Sequence, residues 1–147
     1  MASFTYQRQV AAPPEIVFDV LTDHRRYPEI TSLRKAELER EGEGTPNGLG
    51  AIRALTLAGP PMREEVIAYD SPHRFSYKLL SGLPVRDHVG TVELSPNDGG
   101  TKVVYAVRTT PTIPLAGSVF MAFMKKGIRD LIAGVAKESE RRAADAR

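Results

Sequence analysis

Three ionisable side chains, Arg53, Glu64 and His88, fall on the apolar side of segments that otherwise alternate between apolar and polar residues. If the residues around Ala58-Gly59 close a hairpin, Arg53 and Glu64 lie opposite each other on neighbouring strands, with Cβ atoms about 5 Å apart. A guanidinium and a carboxylate at that separation form a charge-assisted pair. Burying either group alone costs several kcal/mol, so the sequence predicts that the two are paired.

The predicted pair has three possible roles. It can be a structural ion pair, it can orient a polar ligand group, with Arg53 facing a carboxylate or enolate, or Glu64 can act as a general base. A close Arg53 lowers the pKa of Glu64, whereas desolvation raises it toward the range useful for acid–base catalysis. The role of His88 is also undecided between three alternatives: a hydrogen-bonded core residue, a ligand contact or a proton-transfer group.

Several other chemistries are excluded by residue type and spacing. The chain contains no cysteine, which excludes disulfides, thiolate metal ligands and a cysteine nucleophile. His24, His73 and His88 show no metal-ligand spacing, and no Gly-x-Ser-x-Gly elbow is present. The glycine-rich segment 42–50 leads into a strand rather than a helix, so it is not a phosphate loop. We therefore expect neither a metal nor an organic cofactor.

The elements that position these groups begin with a strand and two short helices. Residues 3–10 alternate between apolar and polar side chains, which predicts a strand. Pro13-Pro14-Glu15 opens a helix, because proline is tolerated in a first helical turn. Asp23 is placed to cap a second helix, which should end near Tyr27 because the following proline disfavours helical geometry.

Six short strands are predicted between residues 33 and 109, separated by turns at roughly ten-residue intervals that indicate an antiparallel meander. The turns are Gly42–Gly50, Gly59-Pro60-Pro61, Asp70-Ser71-Pro72, Ser81-Gly82-Leu83-Pro84 and Asn97-Asp98-Gly99-Gly100. After Pro114 a helical period returns and predicts a long amphipathic helix. Its apolar stripe is Phe120, Met124, Ile128, Leu131 and Val135, and Lys125, Lys126, Arg129 and Asp130 mostly occupy the other side.

Turn lengths set the expected pairing register and therefore the inner face of the sheet. A hairpin centred on Ala58-Gly59 and loops at Asp70–His73 and Ser95–Gly100 define the pairs. The expected pairs are Arg53–Glu64, Leu55–Met62, Val66–Tyr77, Ala68–Phe75, Val92–Val103, Gly90–Tyr105 and His88–Val107.

The elements together predict an α+β fold, in which a seven-stranded curved antiparallel sheet surrounds one long C-terminal helix. A helix about 10 Å across is too narrow to fill such a sheet, so we expect an interior cavity. Gly127 costs the helix about 1 kcal/mol relative to alanine and leaves room beside that cavity. The loops at Gly59-Pro60-Pro61 and Leu83-Pro84 are expected at the mouth of this cavity. A further hypothesis is that they form a lid whose position depends on a bound ligand and which a protein partner recognises.

Composition favours a single globular domain over residues 1–147. Hydrophobic residues make up 41% and charged residues 26% of the 147, which fits neither a disordered nor a membrane protein. The longest uncharged stretch, between Arg108 and Lys125, is interrupted by Pro111, Pro114 and Gly117, so we expect no stable membrane insertion. A net charge of +2 does not favour nucleic-acid binding. We expect a cytoplasmic monomer or homodimer.

The chain resembles the START-related SRPBCC superfamily, which includes polyketide cyclases/dehydrases, lipid-transfer domains and plant hormone receptors. The resemblance covers nearly the whole chain. It is carried by Ala12-Pro13-Pro14-Glu15-Ile16-Val17-Phe18 with Leu21-Thr22-Asp23, Gly50-Ala51-Ile52-Arg53, Arg63-Glu64-Glu65-Val66, Tyr69-Asp70-Ser71-Pro72-His73-Arg74-Phe75 and Gly99-Gly100-Thr101-Lys102-Val103.

This resemblance implies a helix-grip fold around a hydrophobic ligand cavity. The implied cavity positions are Arg53, Leu55, Leu57, Met62, Glu64, Tyr77, His88, Tyr105, Phe123, Gly127 and Leu131. The leading functional hypothesis is the binding or transport of a small lipid-like or polyketide-like molecule without catalysis. The alternative is a polyketide cyclase or dehydratase in which Glu64 or His88 moves a proton beside a carbonyl polarised by Arg53.

Overall fold

The computed structural model describes residues 1–113 and 117–146. One sheet of seven strands is packed against one long helix, with short helices after the first strand. The elements in chain order are β1 (Ala2–Val10), α1 (Pro14–Thr22), a 3-10 helix (His24–Arg26), α2 (Tyr27–Ile30), β2 (Lys35–Arg40), β3 (Ile52–Thr56), β4 (Met62–Asp70), β5 (Arg74–Ser81), β6 (Val85–Asn97), β7 (Gly100–Pro111) and α3 (Gly117–Asp145).

The sheet is antiparallel throughout, in the order β1-β7-β6-β5-β4-β3-β2. Strands β2 to β7 form the predicted meander, and β1 pairs with the last strand of that meander. The predicted helix-grip fold, with its curved seven-stranded sheet and long C-terminal helix, is confirmed. No helix in the described part of the chain combines the length and apolar content needed to cross a bilayer.

The second short helix differs from the prediction at both of its ends. Asp23 makes no side-chain capping bond, and residues 24–26 form a 3-10 turn. The helix α2 then runs from Tyr27 to Ile30 and includes Pro28 instead of stopping before it. Pro28 lies in the first turn, where a backbone N–H has no helical partner to lose, so proline is tolerated there.

The register is confirmed at the predicted functional pair and at two further pairs. Arg53 lies opposite Glu64, Leu55 opposite Met62, and Val66 opposite Tyr77. The predicted Ala68–Phe75 pair is wrong, because a register shift after Val66 places Ala68 opposite Ser76. A bulge adds a residue to one strand, and turn lengths alone do not reveal it.

The β6–β7 register is also two residues away from the prediction. Val92 lies opposite Tyr105 and Gly90 opposite Val107, because the hairpin closes tightly at Asn97–Gly100. Asp98 and Gly99 both have positive φ, at 50° and 77°, as a two-residue hairpin turn requires. A shift of two residues keeps every side chain on its predicted face.

The predicted His88–Val107 pair is wrong for a further reason. The register shifts between Arg86 and Val89, and Asp87 has a φ of 53°. This irregularity turns His88 toward Thr109, with which its ring forms a hydrogen bond. The inner-face position of His88 is therefore retained with a different neighbour.

The long helix α3 divides into two functional halves. Its C-terminal half is core: Ile132, Val135 and Ala136 are buried, and Glu140 Oε2 accepts a hydrogen bond from the backbone N–H of Ala11 at 2.9 Å. Its N-terminal half buries Met124 and Ile128 but leaves Phe123 55% exposed. Pro114, after which the sequence predicts the helix, lies outside the described residues.

Gly134 marks the closest approach of α3 to the short helices. A Cβ at this position would lie less than 3.0 Å from the carbonyl oxygen of Ile30 in α2. A Cβ at Gly127, two turns earlier, would meet no atom within 4 Å. The two glycines of the same helix therefore have opposite surroundings.

Alanine substitutions at these two glycines test the packing of α3. We expect Gly134→Ala to lower the free energy of unfolding by about 1–3 kcal/mol, because the new methyl group overlaps the Ile30 carbonyl. Gly127→Ala should raise it by up to about 1 kcal/mol, because alanine favours the helix and nothing opposes the methyl group. Urea unfolding followed by circular dichroism measures both, and losses of equal size would contradict the packing described.

Candidate functional site

A cavity of about 430 Å³ lies between the inner face of the sheet and the N-terminal half of α3. All eleven positions predicted from the sequence line it. They are Arg53, Leu55, Leu57, Met62, Glu64, Tyr77, His88, Tyr105, Phe123, Gly127 and Leu131. The even period of the strands explains this result, because each of the β-strand residues in the set lies on the inner side.

Twelve further residues line the cavity and were not on the predicted list. They are Thr31, Ser32, Leu33, Ala58, Pro60, Gly82, Leu83, Phe120, Met124, Lys126, Ile128 and Asp130. The apolar stripe of the predicted helix already indicated that Phe120, Met124 and Ile128 face the interior. The same stripe predicted that Lys126 and Asp130 lie on the opposite side of the helix. In the structure both reach the rim of the cavity, where they form a 2.7 Å ion pair.

The two rim loops meet through their backbones. Pro60 and Leu83, from the loops that the sequence places at the mouth, both contribute to the wall. Gly82 has a φ of 109°, and a Cβ there would lie less than 3.0 Å from the carbonyl oxygen of Pro61. Only glycine combines this conformation with so close a contact.

The charged centre of the cavity wall is the pair between Arg53 and Glu64. Arg53 donates a hydrogen bond from Nε to Glu64 Oε1 at 2.9 Å, and its Nη2 lies 2.8 Å from the same oxygen as an ion-pair contact. The side chains retain only 3% and 8% of their accessible surface. The predicted pair is thus present and is buried on both sides.

Three aromatic rings enclose the Arg53 guanidinium. Its Cζ atom lies 5.0 Å from the ring centroid of Phe75, 5.1 Å from that of Tyr77 and 5.9 Å from that of Tyr27. A planar, weakly hydrated guanidinium is attracted to aromatic faces, and this attraction offsets part of the cost of removing it from water. The rings come from α2 and β5, so the charge depends on elements distant in sequence.

Burial dominates the electrostatics of Glu64. Loss of solvation raises the pKa of this carboxyl above its usual value, and the neighbouring Arg53 charge only partly opposes the rise. The sequence left open whether Arg53 lowers the pKa of Glu64 or desolvation raises it, and in the structure the effect of desolvation is the larger.

Tyr77 and Tyr105 form a second satisfied pair on the wall. Their hydroxyl oxygens are 2.5 Å apart. Burial raises the pKa of both phenols, so each keeps its proton at neutral pH. Gly90 makes this arrangement possible, because a Cβ at that position would overlap the Tyr77 ring.

His88 is held by one ring nitrogen. Its Nδ1 lies 3.0 Å from Thr109 Oγ1, and its side chain is almost completely buried. Burial lowers the pKa of His88 to about 4, so the ring is neutral at physiological pH. Nε2 is then the ring nitrogen left to contact a ligand.

Sequence reasoning missed the role of a second buried histidine, His24. It has 0% exposure and lies beside the ring of Tyr27. Burial, together with the nearby Arg53 charge, lowers the pKa of His24 to about 3. A neutral histidine here avoids placing a second cation beside the guanidinium. Across residues 1–113 and 117–146, no cluster of three His, Asp or Glu side chains could hold a metal ion.

The chain matches one known protein family over nearly its whole length. Residues 1–143 match the model of the family described as polyketide cyclase / dehydrase and lipid transport. The chain belongs to this family. No protein with a curated description matches it in sequence.

Solved structures with the same fold include proteins of several kinds. A norcoclaurine synthase point mutant from Thalictrum flavum, in complex with a transition state analogue, superposes with a TM-score of 0.76 at 14% identity, covering 96% of this chain and 95% of that one. The di-domain ARO/CYC protein StfQ of the steffimycin biosynthetic pathway gives 0.78 at 15% identity, covering 97% of this chain and 51% of that one. Major latex-like protein 151 from Panax ginseng gives 0.68 at 15% identity, covering 97% of each chain.

A double-mutant cycle tests the buried ion pair. We expect Arg53→Met and Glu64→Gln each to lower the free energy of unfolding by about 3–5 kcal/mol, because each leaves its partner buried without a counter-charge. The double variant should lose clearly less than the sum of the two. Urea unfolding measures the cycle.

The half-exposed pair between Arg63 and Glu39, at 2.8 Å, is the matched control. Removing either partner there should cost less than about 1 kcal/mol, because solvent screens the charges. Strictly additive losses at Arg53 and Glu64 would show that the two side chains do not stabilise each other.

Proposed function

We propose that this protein binds a small hydrophobic molecule in the cavity and carries or senses it without converting it. The observation that carries the proposal is a predominantly apolar cavity in which the principal polar side chains are held in pairs. Arg53 is matched to Glu64, and Tyr77 to Tyr105. Such a wall provides affinity through apolar contact and leaves few groups to drive a reaction.

The cavity volume constrains the size of the ligand. Small-molecule pockets run from about 300 to 1,000 Å³, so about 430 Å³ is toward the lower end. This favours a fused-ring or single-chain molecule over a lipid with two long chains. Removing roughly 300 Å² of apolar ligand surface from water contributes about 7 kcal/mol before the costs of association.

Filling the cavity from α3 tests this proposal. N-Phenyl-1-naphthylamine, a neutral fluorescent probe, should bind the wild-type protein with increased fluorescence. We expect Gly127→Leu to weaken that binding at least tenfold, because a side chain at 127 enters open space on the cavity wall. Fluorescence titration gives the dissociation constants.

The control is Ala122→Leu, which adds a similar side chain to the same helix at an exposed position outside the cavity wall. Its affinity should match that of the wild type. If Gly127→Leu and Ala122→Leu bind the probe equally well, or if the wild type does not bind it, the cavity is not the binding site.

A second candidate function is favoured by one observation. The raised pKa of Glu64, on a carboxylate that faces the cavity, also suits a general acid–base residue in a cyclase or dehydratase. For this function, Glu64→Gln should abolish turnover of a poly-β-ketone-like substrate while the protein still binds it. Equal loss of binding and turnover would contradict catalysis by Glu64. Product analysis by mass spectrometry, with binding measured in parallel, separates the two results.

A further inference from the structure

The two oxygens of the Glu64 carboxylate have different surroundings. The two nitrogens of Arg53 that contact the carboxylate, Nε and Nη2, both lie against Oε1. Oε2 accepts no hydrogen bond from the described residues, and unlike the buried unpartnered atoms of the interior it retains accessible surface. Because Glu64 lines the cavity, Oε2 is the open acceptor that a ligand meets there.

Arg53 offers a ligand much less. Its side chain retains 3% of its accessible surface, and the three rings of Phe75, Tyr77 and Tyr27 lie around the guanidinium. Nη1, the terminal nitrogen that does not contact Glu64, has no hydrogen-bond partner among the described residues, but it is fully buried and therefore out of a ligand's reach. A ligand therefore approaches the carboxylate side of the ion pair and not the guanidinium side.

The other groups of the wall add no positive charge to the interior. His88 is neutral, with burial lowering its pKa to about 4. Lys126 stands at the rim, where it is largely solvated and paired with Asp130. Within residues 1–113 and 117–146, the only interior cation on the cavity wall is Arg53, and Glu64 already neutralises it.

We propose that the cavity selects neutral molecules that carry a hydroxyl group, an alcohol or a phenol, whose O–H donates to Glu64 Oε2, and that it discriminates against carboxylates of the same size. The inference rests on the proposed function, because it assigns the chemical class of the ligand bound at that site.

The physical basis is the balance of charge in a desolvated space. A hydrogen bond from a hydroxyl to a carboxylate is charge-assisted and stronger than one between neutral groups. The Tyr77–Tyr105 bond uses one of two hydroxyl protons, so the other can be donated to the ligand oxygen. A ligand carboxylate would instead place a second anion beside Glu64, with one guanidinium between the two and no water to screen them.

A series of three probes with the same ring system tests the inference on the unmodified protein. The probes are 2-naphthol, 2-methylnaphthalene and 2-naphthoate at pH 7, each measured by displacement of N-phenyl-1-naphthylamine. We expect 2-naphthol to bind about tenfold more tightly than 2-methylnaphthalene, because of the added hydrogen bond to a charged acceptor. We expect 2-naphthoate to bind at least tenfold more weakly than 2-naphthol.

The outcomes separate this inference from the proposed function. If the reporter binds but 2-naphthoate equals or exceeds 2-naphthol, or 2-naphthol does not exceed 2-methylnaphthalene, the inference is overturned and the proposed function stands. If neither the reporter nor any naphthalene binds, both fail.

Two glutamine variants then assign the preference to one residue. Glu64→Gln replaces the open acceptor by an amide and frees a positive charge, so the preference for 2-naphthol over 2-naphthoate should fall at least tenfold. Glu65→Gln, at the next residue on the outer face, should leave the preference unchanged. A folded Glu64→Gln protein with the wild-type preference would overturn the assignment. The probe series on the wild type decides the inference even if that variant does not fold.

Discussion

The buried contact between Arg53 and Glu64 constrains the rest of the interior. Two charges removed from water are tolerated where each has a partner, and the rings of Tyr27, Phe75 and Tyr77 add a cation–π attraction to the buried guanidinium. Through these rings, α2 and β5 both pack against the Arg53 guanidinium. Burial is the main cause of the lowered pKa of His24, and the Arg53 charge lowers it further, so this histidine stays neutral.

The helix α3 meets two opposing requirements in one continuous element. Its C-terminal half must pack closely, and Gly134 allows the backbone to approach Ile30. Its N-terminal half must leave space, and Gly127 presents no side chain to the cavity. A single amphipathic period would fill the interior evenly along the helix, so the two glycines make the difference between core and cavity.

The sequence predicts the architecture and the strand residues of the cavity wall because both follow from periods of two and of 3.6 residues. Phe123 and Gly127 lie outside the apolar stripe of α3, and their places on the wall were implied by the family resemblance. The predicted β6–β7 register was wrong by two residues, and a shift by an even number keeps each side chain on the same face of the sheet. The residues of these strands on the cavity wall were therefore predicted correctly. The bounds of the second short helix were wrong and the irregularity near His88 was not predicted, because each depends on the conformation of one or two residues. The aromatic enclosure of Arg53 could not be predicted either, because Tyr27 reaches it through tertiary packing and shares no strand with it. The open oxygen of Glu64 is a matter of side-chain rotamers, which a pattern of residue types does not encode.

The contact between Gly82 and Pro61 has a consequence for dynamics. The β3–β4 and β5–β6 loops approach each other so closely that a Cβ on Gly82 would overlap the carbonyl oxygen of Pro61. Because the two loops meet at backbone atoms, we expect a displacement of one loop to move the other. For a molecule bound in the cavity as proposed, release would then require both loops to move together.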